Sequence, residues 1–223
     1  MRTRPLLLGH RGARAVKTLT ENTIASFDRA LADGCDGFEF DVRLTSDRKP
    51  VICHDPKIAG REVARSTAHR LASLAQLDEV LARYQHSAFL DIELKIVGME
   101  KVVVKLLKKY PPGRGFVVSS FLPEAVQAVH AIDSALPLGL ICETKSQLRP
   151  WTRLPVEYVI AHHRLLAPAA IEQLKAAGKK ILVWTVNHPS DMQKFADAGV
   201  DGIISDDSAL LSRTSKPSLV VRR

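Results

Sequence analysis

The sequence predicts an α/β fold: a single closed (β/α)8 TIM barrel with a short hairpin and cap after its second strand. Three observations predict it. Eight short apolar runs alternate with amphipathic stretches along the whole chain. No linker rich in Pro, Gly or Ser divides the 223 residues, 46% of them hydrophobic, and that length lies near the lower end for such a barrel. The polar residues gather just beyond the ends of the apolar runs, on the face where the βα loops of a barrel meet.

The apolar runs are 6–8, 38–42, 89–94, 116–119, 138–142, 158–161, 181–186 and 202–205. Helical periodicity falls between them at 24–32, 74–84, 99–109, 123–131, 167–177 and 189–198, with shorter pieces at 145–148 and 208–211. Gly34, Gly178 and Gly199 follow predicted helix ends, where a left-handed residue is favoured. Thr18 to Glu21 reads as a capping box opening the first helix. An open doubly wound sheet is the competing fold, but "GHRGAR" after the first strand lacks the G-x-G-x-x-G spacing of its phosphate turn. The barrel is assigned to residues 1–213, and 214–223 are expected to form a basic, flexible tail.

Composition narrows the function classes. "MRTRPLLLGHRG" is too short in its apolar part for a signal peptide, and no run approaches the ~18 apolar residues of a membrane span. The protein is therefore expected in the cytoplasm, without stable membrane insertion. Cys35, Cys53 and Cys142 are widely spaced and form no Cys-x-x-Cys pattern, which argues against a disulfide framework or a zinc knuckle. The net charge of +8 attracts anions in general, but no nucleic-acid motif accompanies it. "KLLKK" at 105–109 reads as a solvated helix face.

Strand alternation places the chemistry. In "FEFDV", Glu39 and Asp41 share one face while Phe38 and Phe40 take the other; in "FLDIELK", Asp91, Glu93 and Lys95 point inward together. Buried carboxylates need a compensating cation, so Glu39, Asp41 and Glu93 are candidate oxygen ligands of a hard divalent ion, Mg²⁺ or Ca²⁺ rather than Zn²⁺. A salt-bridge network with Arg11, Arg43 or Lys95 is the competing reading.

After strand two, "SDRK" is far too short for a parallel crossover, so 42–45 and 51–54 form an antiparallel hairpin turning near Asp47-Arg48. That hairpin folds His54 back to the level of Asp41, while His10 and Arg11 arrive from the first strand. Two imidazoles, a metal, and Arg11 with Lys95 around an anion are the parts of metal-assisted phosphodiester cleavage. Glu21 is a candidate to orient Arg11. Asp91 lies one layer below Glu93, either as a support for the site or as a buried hydrogen-bonding group. Trp184 is a candidate apolar wall, Phe121 after strand four a similar candidate at the rim, and His162 or His163 a candidate lining residue. Asn187 and Asp206 follow strands seven and eight.

"LLLGHRGARAVKTLTENTIASFDRAL", "GCDGFEFDVRLTSDRKPVICHD", "FLDIELK", "ILVWTVN" and "GVDGIISD" resemble, in order and spacing, the glycerophosphodiester phosphodiesterase family. The resemblance implies a (β/α)8 barrel that uses a divalent metal to hydrolyse glycerophosphodiesters to glycerol 3-phosphate and an alcohol. It implies Glu39, Asp41 and Glu93 as metal ligands, His10 and His54 as the acid–base pair, and Arg11 and Lys95 as phosphate contacts. The family route, in which the glycerol 2-hydroxyl attacks first and gives a cyclic phosphate, is compatible with these residues.

Two departures stand out. "PKIAGREVARSTAHRLASL" is a short, atypical cap that leaves the mouth open to a bulkier alcohol, and the usual Asp-Gly turn is Asp47-Arg48, where another turn type is expected to serve. A lysophospholipase D-type enzyme acting on single-chain lipids and a non-catalytic phospholigand-binding barrel are the alternatives. A zinc amidohydrolase is disfavoured because the first strand ends in "HRG" rather than His-x-His.

Overall fold

The computed structural model describes residues 4–215. The chain runs β1 (Leu6–His10), α1 (Ile24–Ala32), β2 (Gly37–Leu44), β3 (Pro50–Ile52), β4 (Lys57–Ile58), β5 (Arg61–Glu62), α2 (Leu77–Tyr84), β6 (Phe89–Leu94), α3 (Glu100–Lys109) and β7 (Phe116–Ser120). It continues through α4 (Pro123–Ile132), β8 (Leu138–Cys142), α5 (Lys145–Leu148), β9 (Tyr158–His162), α6 (Pro168–Ala176), β10 (Lys180–Trp184), α7 (Pro189–Ala198), β11 (Gly202–Ser205) and α8 (Ser208–Thr214). The helix periodicity thus marks the elements to within a few residues. The predicted seventh strand is trimmed, with Val186 lying beyond β10. From residue 216 onward the predicted tail lies outside the described residues.

Eight parallel strands close the barrel in the order β1-β11-β10-β9-β8-β7-β6-β2, with β1 pairing β2 to complete the ring. Alternation divides the apolar residues between two sides. Leu8, Phe89, Val117, Ile141, Tyr158, Ile160, Leu182 and Ile204 form one buried cluster filling the barrel interior. Phe38, Phe40, Leu90, Ile92 and Leu94 instead pack outward with residues of α1 to α4. There Phe27 of α1 stacks on Phe38 at 4.2 Å, and Tyr84 meets Phe38 edge-on at 4.9 Å.

Antiparallel pairing of β2 with β3, Val42 opposite Ile52 and Leu44 opposite Pro50, forms the expected hairpin. In its turn Arg48 occupies the left-handed region (φ 59°), which a glycine would take more cheaply. Beyond His54, the small β4–β5 ladder and two 3₁₀ turns make the short cap, held by Val51, Cys53, Val63 and Leu71.

The Phe27 ring is fully buried at the centre of the aromatic cluster joining α1 to β2. Phe27→Ala is expected to lower stability by about 3–5 kcal/mol through lost burial and a residual cavity, read from urea unfolding. A loss below about 1 kcal/mol would mean that α1 is not anchored there.

Candidate active site

The site begins where β1 ends. Gly9 and Gly12 let the chain turn sharply, and a Cβ on Gly12 (φ 84°) would fall on Ser26 of α1. Between them Arg11 holds a left-handed backbone (φ 52°), a strained conformation of the sort that accumulates at functional sites. The turn has a purpose in the geometry. His10 stands beside Glu39 in the β1–β2 register, and the Arg11 backbone N–H donates to Glu39 Oε2 at 3.0 Å.

Asp41 and Glu93 are direct register partners across β2 and β6, so the predicted carboxylates converge. Glu39, Asp41 and Glu93 are buried, and each offers an oxygen within 4.8 Å of the others. Lys95 Nζ lies 2.6 Å from Glu93 Oε1 and 3.3 Å from Asp41 Oδ1, and Arg11 Nε lies 3.2 Å from Asp41 Oδ2. Asn22, itself left-handed (φ 59°), clamps Asp41 twice: its Nδ2 donates to Asp41 Oδ2 at 2.8 Å, and its Oδ1 accepts from the Asp41 N–H at 3.2 Å.

Two cations do not satisfy three buried acids. Burial, then Asp41 and Glu93, pushes the Glu39 carboxyl well above its ordinary range, and burial with Asp41 pushes Glu93 up to about 7. Asp41 goes the other way: burial opposes its ionisation, but Lys95, Arg11 and Asn22 outweigh it and hold the carboxyl low. Asp41 Oδ1 is buried and, beyond its 3.3 Å ion pair with Lys95, has no hydrogen-bond partner. A set of three undercompensated carboxylates fits a hard divalent cation bound through oxygen. Of the cations in the salt-bridge reading, Arg11 and Lys95 do pair with the acids, whereas Arg43 turns to the His54 carbonyl, and two cations leave three carboxylates undercompensated.

The two histidines reach the rim from different elements. His10 Nδ1 lies 2.7 Å from Asp206 Oδ1 just beyond β11, and its Nε2 lies 3.8 Å from Glu39 Oε2. Asp206 also accepts from Asn187 Nδ2 at 2.7 Å and Arg14 Nη1 at 3.2 Å. Burial raises the Asp206 carboxyl, yet His10, Asn187 and Arg14 more than reverse this and keep it ionised. An ionised carboxylate only accepts, so His10 carries its proton on Nδ1 and presents Nε2 to the site. His54 comes from the hairpin: Arg43 Nε donates to its carbonyl at 2.7 Å, and its Nδ1 lies 2.8 Å from Asp55 Oδ1.

His10, Arg11, Glu39, His54, Glu93, Lys95 and Asp91 line one side of a cavity of about 270 Å³; Phe121 and Trp184 are on its other side. Trp184 spends its only polar atom on the Ile160 carbonyl, to which Nε1 donates at 3.1 Å, so it presents hydrocarbon. Asp91 accepts from Ser119 Oγ at 2.6 Å and is fully buried, with its carboxyl pushed up to about 7 by that burial. It is a hydrogen-bonding group at the cavity floor.

Other placements differ from the sequence reading. The capping box does not form: Thr23 caps α1 by accepting from the Ser26 N–H, and Glu21 instead accepts from Arg11 Nη1 at 2.7 Å and Arg14 Nε at 2.6 Å. The two arginines are the stronger partners for an anionic side chain. The rings of His162 and His163 lie 4.3 Å apart, tilted by 34°, and neither residue is among those lining the cavity. Sequence reasoning gave no site role to Asn22, nor to Asp206 beyond its place after a strand. Neither partner lies near in sequence, 19 residues from Asn22 to Asp41 and 196 from His10 to Asp206: the pairing of β1 with β2 joins the first two and that of β1 with β11 the second.

Comparison with known proteins agrees with this geometry. The model of the glycerophosphoryl diester phosphodiesterase family matches residues 10–109 and 82–210. A glycerophosphodiester phosphodiesterase of Caldanaerobacter subterraneus is 30% identical, the match covering 92% of this chain and 96% of that protein. A putative glycerophosphodiester phosphodiesterase of Bacillus subtilis is also 30% identical, over 90% of this chain and 93% of its own. Among solved structures, a phosphodiesterase of Oleispira antarctica in complex with its product sn-glycerol-3-phosphate superposes with a TM-score of 0.84 at 24% identity, covering 95% of this chain and 96% of that one. A glycerophosphodiester phosphodiesterase of Thermotoga maritima does so with a TM-score of 0.82 at 23% identity, over 96% and 99%. With the fold, the motifs and the length all matched, the chain belongs to the glycerophosphoryl diester phosphodiesterase family, a family of phosphoric diester hydrolases.

Proposed function

We propose that the protein is a divalent-metal-dependent phosphodiesterase that hydrolyses glycerophosphodiesters to sn-glycerol 3-phosphate and an alcohol. The observation that carries the reading is the convergence of three buried carboxylates, of which Glu39 and Glu93 line one cavity and Asp41 lies beside them, with two histidines, Arg11 and Lys95 of the same cavity. Glu39, Asp41 and Glu93 would hold the metal, Mg²⁺ or Ca²⁺, which when bound supplies Lewis-acid charge to a phosphate oxygen.

The chain's own groups do the rest. Arg11 presents a planar fork and Lys95 a point charge to the phosphate; Glu21 and Asp41 restrain Arg11, while Glu93 and Asp41 restrain Lys95. His10 and His54 form the acid–base pair, one taking the proton of the attacking hydroxyl and the other returning one to the departing alkoxide. Asp206 and Asp55 accept from the Nδ1 side of each ring and leave Nε2 for the reaction. No helix among the described residues is long and apolar enough to cross a membrane, in keeping with a small diffusible substrate.

Three measurements check this. His10→Ala and His54→Ala are each expected to lower kcat on glycerophosphocholine by roughly 10²- to 10⁴-fold with the fold retained by circular dichroism; near-normal turnover removes that residue from the acid–base pair. Chelation is expected to abolish release of glycerol 3-phosphate, and Mg²⁺ or Ca²⁺ to restore it. Titration calorimetry should find a cation site in the wild type that Asp41→Asn lacks; equal affinity in both rejects the carboxylate set.

Asp206 sets a pH dependence. Its folded carboxyl is depressed below its unfolded value of about 4, so its contribution is complete above that value and is lost as pH falls through the folded one. Asp206→Asn should cost on the order of 2 kcal/mol near neutrality, the gap narrowing as pH falls below about 5 in urea unfolding. A gap independent of pH would mean that the ionised carboxylate is not what holds this rim.

A further inference from the structure

The cavity has two unlike halves. Its charged residues come from β1, β2, β6 and the hairpin, whereas the strands β7 to β11 and their ends contribute Phe121, Ile141, Ile160, Trp184 and Ile204. Glu143, immediately after β8, is the one polar side chain that this half adds. Going round the closed ring from β1, β8 is reached after β11, β10 and β9 in one direction and after β2, β6 and β7 in the other. Glu143 therefore stands across the mouth from His10 and Arg11.

Its backbone is fixed and its carboxylate is free. The Glu143 N–H donates to Gln147 Oε1 at 3.0 Å, within the capping box by which Thr144 opens α5. Among the described residues, the Glu143 side chain has no hydrogen-bond or ion-pair partner. An acceptor-only group on an otherwise apolar wall suits a ligand arm with a carbon face and a donor at its end.

Resting on the reading above, we propose that Glu143 is a specificity-determining residue that accepts the terminal hydroxyl of the substrate's glycerol arm. With the phosphate held by Arg11 and Lys95, one arm of the diester must cross the cavity along Trp184 and Ile160 toward Glu143. Glycerol is common to every substrate of the class, whereas the alcohol varies and must leave, so the constant arm occupies the built wall. A cationic alcohol is the poorer occupant: Arg11 and Lys95 already line the cavity, and Lys95 Nζ lies 5.7 Å over the Phe121 ring that an ammonium would otherwise use. Acylation of the terminal hydroxyl removes the donor and sets a hydrocarbon chain against a carboxylate, which disfavours lysophospholipids.

The test compares wild type, Glu143→Gln and Glu143→Leu on glycerophosphocholine, glycerophosphoethanolamine, glycerophosphoinositol and lysophosphatidylcholine, with thermal melts to check folding. Glu143→Leu is expected to raise KM by roughly 10- to 100-fold for all three glycerophosphodiesters alike, with kcat within about threefold and a smaller effect in Glu143→Gln, whose amide oxygen still accepts. The preference for glycerophosphocholine over lysophosphatidylcholine in kcat/KM should shrink by at least about tenfold. A loss confined to the choline and ethanolamine substrates would overturn the proposal by making Glu143 an alcohol-side group, and unchanged kinetics would remove it altogether. Absence of turnover in the wild type on every substrate would instead defeat the phosphodiesterase reading on which the proposal rests.

Discussion

Negative charge concentrated at one rim of an otherwise apolar barrel is the constraint on which the rest of the structure depends. Glu39, Asp41 and Glu93 are drawn from water onto two adjacent strands, where an uncompensated carboxylate costs several kcal/mol. Lys95 and Arg11 reduce that cost without removing it, since burial and the neighbouring carboxylates still raise the Glu39 and Glu93 carboxyls above their ordinary range. The same imbalance makes the three carboxylates fit to hold a hard divalent cation, and under the proposed function that cation, Arg11 and Lys95 would together receive an anion.

The barrel tolerates this arrangement because its register keeps the charge on one side. Below the rim, Leu8, Leu182, Ile160 and their neighbours fill the interior with hydrocarbon, and on the outer faces Phe27, Phe38, Phe40 and Tyr84 bind helices to the strands that carry the acids. Stiffness there matters for function. Side chains that must neither collapse onto one another nor swing into solvent are held by a close-packed backing and by hydrogen bonds from Asn22 and the Arg11 backbone.

A ring of supporting contacts ties together segments from both ends of the chain. Asp206 links His10, Arg14 and Asn187, and Glu21 links Arg11 to Arg14. The rim is thus one connected polar network, so displacement of one member is felt by the others. Across from it the β8 end is simple by contrast: hydrocarbon and a single carboxylate. Under the proposed function, that asymmetry would set the charged side against the phosphate and the carbon face, with its one acceptor, against the glycerol arm.

Much of this was legible in the sequence, for a definable reason. Periodicity reports which residues share a face, so the alternation of Phe38-Glu39-Phe40-Asp41 and of Leu90-Asp91-Ile92-Glu93 was enough to send acids inward and hydrocarbon outward. The hairpin followed from a turn too short for anything else, and the helix bounds from apolar spacing. What local pattern could not settle was competition between partners. Glu21 had a capping position within reach and took two arginines instead; Asn22 met Asp41 through the pairing of β1 with β2, and Asp206 met His10 through that of β1 with β11; Arg48 took a left-handed backbone in the hairpin turn. The sequence by itself determined the alternation, and with it the barrel and the acid cluster, because both are written in spacing along single strands. Only the tertiary structure decided which distant group each polar side chain would meet, because hydrogen bonds and charges select by distance in space, which strand order and register alone bring about.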